Sequence, residues 1–174
     1  VLVPVNEAPW RFMGTLHIDS GGTCSATLIG RDVIATAAHC ISGGDRVNAA
    51  ARFESADGGQ SARVIAYLTD PNFNYRRFTT TDEIDGLDWA LLRLDRPLGD
   101  TYGYANVRSI TGAGRPLSTE LMQAGYSWDT GGHLSGNLRC RMIAMHSDNT
   151  FAHECDTTRG DSGSGFLVRN GNGF

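Results

Sequence analysis

A chain of 174 residues, 40 % hydrophobic and 20 % charged, can bury a sizeable core but is short for two lobes. Its net charge of −4 and pI near 5.7 argue against a nucleic-acid or anionic-membrane partner. It has no apolar run of about eighteen residues, so no segment reads as a membrane-spanning helix.

The apolar start, Val1 to Val5, has no basic segment before it and is not an intact signal peptide; export would require a leader already removed. Short apolar runs between Gly, Asp, Asn and Pro clusters then predict strands at 11–18, 23–29, 33–36, 46–53, 62–68 and 89–94. Six such strands suffice for a small barrel, giving a first domain over 1–95. The polar connection 70–87, with Arg76-Arg77 and Thr79-Thr80-Thr81, reads as a surface loop rather than a linker. A Gly-, Pro- and Asp-rich linker covers 96–118. The last unit, 119–174, restarts with strands predicted at 120–126, 138–145, 150–155 and 165–168, too few to complete a second barrel.

Four cysteines, Cys24, Cys40, Cys140 and Cys155, contain no C-x-x-C pair, so a zinc site is a poor reading and no metal is expected. Three disulfide pairings are open. The sequence-local one, Cys24 with Cys40 and Cys140 with Cys155, closes one loop in each half of the chain. Each loop of about fifteen residues would contribute on the order of 3 kcal/mol. Disulfides place the protein in an oxidising compartment, secreted or periplasmic.

Three segments carry chemistry. Asp156-Thr157-Thr158-Arg159-Gly160-Asp161-Ser162-Gly163-Ser164-Gly165 sets a serine in a glycine-rich loop before an apolar strand. Glycines permit the bend that exposes a nucleophilic hydroxyl. Gly160 and Ser162 are spaced to aim two backbone N–H groups at a developing oxyanion. Val33 to Cys40 runs a strand into small residues and then His39, beside a half-cystine that would pin it. Such an imidazole can take the serine's proton. Asp88 opens the apolar run Trp89 to Leu94; alone it reads as a capping aspartate, but facing His39 it would fix the tautomer.

Together, T-A-A-H-C (Thr36 to Cys40), D-W-A-L-L-R-L (Asp88 to Leu94) and G-D-S-G (Gly160 to Gly163) resemble the chymotrypsin/trypsin family of serine peptidases. The order is the family's, and the likeness runs from about Phe12 to Val168. The run C-D-T-x-x-G-D-S-G-S (Cys155 to Ser164) and the start Val1-Leu2-Val3-Pro4 look like the bacterial branch that includes the glutamyl endopeptidases. The resemblance implies an all-β fold of two six-stranded antiparallel Greek-key barrels, the second incomplete in this chain. It also implies a Cys24–Cys40 disulfide, and a secreted endopeptidase acting on protein or peptide substrates without metal or cofactor. His39, Asp88 and Ser162 would be the triad, with Gly160 and Ser162 as the oxyanion hole. The connection 70–87 would lie over the active-site face.

With only twelve residues after Ser162, a second chain is expected to supply further strands. Substrate selection at P1 is open between Arg/Lys and Glu. Asp156 lies six residues before Ser162, where trypsin-like enzymes keep a carboxylate, yet the glutamyl branch resembles the same Asp156-Thr157 pattern. Val1 could assist an acidic side chain, or its amine could pair with Asp161 as an activation bridge; Asp161 on an arginine or backbone N–H groups is the competing reading. The functional rivals are a catalytically silent protease-fold binding module, or a fragment active only with its C-terminal partner chain. A silent module would ordinarily have lost a triad member, and none is lost here.

Overall fold

The computed structural model describes residues 1–43, 46–47, 51–80, 86–109, 120–169 and 173–174. In the first half the strands are β1 (Met13–Ile18), β2 (Thr23–Leu28), β3 (Val33–Thr36), β4 (Ser42–Gly43), β5 (Arg46–Val47), β6 (Ala51–Ser55), β7 (Ser61–Thr69) and β8 (Ala90–Leu94). Period-two alternation decides which faces point inward. Ala51, Phe53 and Ser55 of β6 are buried while Arg52 and Glu54 between them are not, and Ala90, Leu92 and Leu94 of β8 repeat the pattern. Six strands close an antiparallel barrel in the order β1-β2-β3-β8-β7-β6, with β6 pairing back onto β1. Leu16, Leu28, Ile34, Phe53 and Leu92 fill its interior.

In the first half, two strand expectations shift by more than one residue. The run 46–53 divides: Arg46–Val47 pairs with Ser42–Gly43 in a separate ribbon, and the barrel strand begins at Ala51, with 48–50 outside the described residues. The strand expected from Arg11 begins at Met13. Trp10–Phe12 is a 3-10 turn instead, because the Arg11 and Phe12 N–H groups donate to Glu7 and Pro9 carbonyls and bury Trp10 and Phe12.

The expected linker is packed rather than free over its described part. Helix Leu98–Tyr102 seats Leu98 in the core, and the Ala105 N–H donates to the Leu28 carbonyl at 3.0 Å. Residues 110–119 lie outside the described residues.

The second half forms a four-stranded sheet in the order β11-β10-β9-β12, from β9 (Glu120–Gly125), β10 (Ser135–Met145), β11 (Phe151–His153) and β12 (Phe166–Leu167). It is a partial sheet among the described residues, as the strand count predicted. Leu121 and Met142 bury against the Cys140–Cys155 bridge, with Phe151 and Phe166 packed on them. The other bridge is Cys24–Cys40, so of the three pairings the sequence-local one is realised.

Candidate active site

Antiparallel pairing of β3 with β8 aligns Thr36 with Ala90. The chain leaves β3 through Ala37 into a single helical turn, α1 (Ala38–Ile41), which carries His39. Asp88, just before β8, therefore arrives beside it. Its Oδ1 accepts the His39 backbone N–H at 2.8 Å, and its Oδ2 lies 2.7 Å from the ring Nδ1. A carboxylate only accepts, so Nδ1 is the donor of this bond, and in the neutral ring Nε2 then keeps its lone pair. The Cys24–Cys40 bridge ties the same turn to β2. On the ring face, Phe78 of α2 (Tyr75–Thr80) stacks at 4.9 Å and 11°, which places this helix of the connection against His39.

The serine loop is held by its carbonyls. Arg159 O accepts from Trp128 N at 2.7 Å, Gly160 O from Ser25 Oγ at 2.9 Å, and Ser162 O from Ser25 N at 2.8 Å. Gly160 has φ +97°, which only glycine adopts without strain, and Gly163 has φ +82°. A Cβ on Gly163 would overlap Thr36 Oγ1 and the Ser25 carbonyl, so the loop can approach the barrel only with glycine there. Among the described residues, neither Gly160 N–H nor Ser162 N–H donates to a protein acceptor.

His39, Asp88, Ser162 and Gly163 line a single cleft of about 600 Å³, together with Thr157, Thr158, His153 and Arg108. Among the described residues no hydrogen bond joins the Ser162 hydroxyl to His39 Nε2, which lies 3.9 Å from Cys40 Sγ. Such contacts commonly close only when substrate is bound.

The profile of the Trypsin family matches residues 3–173. The chain belongs to the trypsin family. Among solved structures, a Glu endopeptidase in complex with MPD aligns at TM-score 0.76 and 20 % identity, over 97 % of this chain and 79 % of that one. A thermostable serine protease, AL20, from an extremophilic microorganism aligns at TM-score 0.70 and 19 % identity, over 94 % and 81 %. At these identities the likeness is one of fold. No curated protein sequence matches the chain.

Other expected site residues of this trypsin-family chain fall apart spatially. Asp156 lines a neighbouring hollow with Val1, Ser127 and Asn137, not the Ser162 cleft. Asn137 Nδ2 donates to the Asp156 carbonyl at 2.7 Å, while Thr157 does face the cleft. The Val1 amine donates to Gly136 O at 3.0 Å rather than to Asp161. Asp161 is buried, and its oxygens accept from Ser127 Oγ at 2.8 and 2.9 Å and Thr158 N at 2.8 Å. The hydroxyl and amide thus occupy the carboxylate where an activation bridge would have needed the terminal amine. Three residues at the site carried no sequence signal strong enough to single them out. His153, one histidine among five, lines the cleft with its Nδ1 buried and unpartnered among the described residues; Phe78 and Ser25 are the others.

Proposed function

We propose that this trypsin-family chain is a secreted serine endopeptidase that hydrolyses peptide bonds through an acyl-enzyme. The observation that carries the reading is the two-point grip of Asp88 on His39 in the cleft that also holds Ser162. Ser162 Oγ attacks the substrate carbonyl carbon and gives its proton to His39 Nε2. The carbonyl oxygen becomes an oxyanion that accepts from the Gly160 and Ser162 N–H groups. Collapse breaks the C–N bond, and His39 returns the proton to the leaving amine. Water, deprotonated by His39, then hydrolyses the ester and restores Ser162. Asp88 keeps Nδ1 protonated throughout. The two disulfides support an extracellular setting.

An acidic P1 side chain, Glu, suits the cleft better than Arg or Lys. Both cleft carboxylates are already engaged, Asp88 by His39 and Asp161 by Ser127 and Thr158. His153 and Arg108 remain as groups able to meet a negative charge.

Diisopropyl fluorophosphate should label Ser162 in the folded protein, with labelling lost in His39→Ala. A P1-varied peptide library should then show cleavage after Glu. No labelling of folded protein overturns the endopeptidase reading, whereas cleavage after Arg or Lys overturns only the acidic preference.

A further inference from the structure

We propose that Ser25, on the N-terminal barrel, is a positioning residue that sets the oxyanion hole on the opposite side of the cleft; this rests on the endopeptidase reading above. Ser25 is almost fully buried in β2, and its backbone and side chain face four different structural partners. Its N–H donates to the Ser162 carbonyl at 2.8 Å. Its carbonyl accepts from Thr36 Oγ1 at 2.9 Å, at the end of the strand that leads to His39. Its hydroxyl donates to Gly160 O at 2.9 Å and accepts from Tyr126 N at 2.9 Å, just past β9 of the second sheet. Both capacities of the hydroxyl are used across the boundary between the two halves.

The direction of the Gly160 N–H follows from peptide planarity. In a trans peptide the N–H points opposite to the carbonyl. Trp128 N holds the Arg159 carbonyl, which turns the Gly160 N–H the other way. The second peptide of the same glycine is gripped through its carbonyl by Ser25 Oγ. Gly160 has no side chain to restrain it, so these two anchors fix its φ and ψ at values that other residues avoid. Removing the hydroxyl frees one anchor and leaves a part-buried carbonyl and a part-buried amide with a partner missing. Trp128 still holds the peptide that carries the Gly160 N–H, but the glycine is then fixed from one side only and that N–H is held less tightly, while Ser162, His39 and Asp88 keep their own supports.

Ser25→Ala and the near-isosteric Ser25→Cys are to be assayed with the wild-type chain on a cleaved peptide. A peptide boronate provides the transition-state probe, since its adduct with Ser162 sets an oxygen in the oxyanion position. The corresponding product peptide provides a ground-state probe. For Ser25→Ala, kcat should fall about tenfold to hundredfold, less than the loss for deleting a donor outright, with KM little changed. The boronate should weaken in parallel while the product peptide binds as before. If Ser25→Ala does not fold, Ser25→Cys carries the same comparison. A folded variant with wild-type kcat overturns the proposal, as does a loss of kcat without loss of boronate affinity. A folded wild-type chain unreactive to diisopropyl fluorophosphate and boronate instead overturns the endopeptidase reading, so the two failures are distinguishable.

Discussion

Three aspartates near the serine have the same chemistry and different fates, each set by what donates to them. Asp88 takes two N–H groups from one residue and so orients a ring. Asp161 takes a hydroxyl and an amide, which makes it a brace for its own loop. Asp156, although at a familiar spacing from Ser162, lines the neighbouring hollow instead of the cleft. Asp57 shows how such donors reach stability. Burial alone would raise its pKa, but hydrogen bonds from Ser55 Oγ, Gly59 N and Tyr102 OH outweigh it and hold the carboxyl below the ordinary carboxylate value. A folded-state value below the unfolded one adds stability above the unfolded pKa, and this is lost as pH falls through the folded value. Asp57→Asn should therefore lower Tm at neutral pH, and the gap from wild type should close in acid. Thermal melts across pH check this.

At the scale of elements, strand existence followed from short apolar runs, whereas strand partners did not. The pairing of β3 with β8 joins segments separated by the whole 37–89 stretch, and that pairing delivers Asp88 to His39. The disulfides reinforce both halves with loops of similar length, separations of 16 and 15 residues. Replacing Cys140 and Cys155 together by Ser should lower unfolding stability by about 3 kcal/mol in urea titration. Replacing Cys24 and Cys40 should have a similar effect on stability. It should also reduce kcat of the folded fraction, because Cys40 adjoins His39 in α1. Equal kcat in the two double variants would show that α1 needs no such tie.

Across the whole molecule, the site exists because a closed barrel and an open sheet lie against each other. The barrel supplies His39 and Asp88, the sheet side supplies Ser162, and Ser25 bonds to both. In the barrel, Phe53 is fully buried against Gly14, where a Cβ would overlap the ring. Phe53→Ala should cost about 3–5 kcal/mol in denaturant unfolding. KM of the folded protein should change little, since Phe53 does not line the cleft. A raised KM would indicate that the cleft deforms with the barrel.

By itself the sequence determined the identities of His39, Asp88 and Ser162 as candidates, the all-β class and the approximate strand positions. These are local properties: residue type, apolar period and turn chemistry. Arg11 and the 46–53 run were misread where neighbouring turn carbonyls and inward alternation overrode local apolarity. Tertiary structure alone decided the partners of Asp161 and Val1 and put Asp156 in the hollow beside the cleft. It also brought Phe78, His153 and Ser25 to the site. Each depends on groups far apart in the chain arriving within hydrogen-bond or van der Waals reach, and spacing along a sequence carries no information about that.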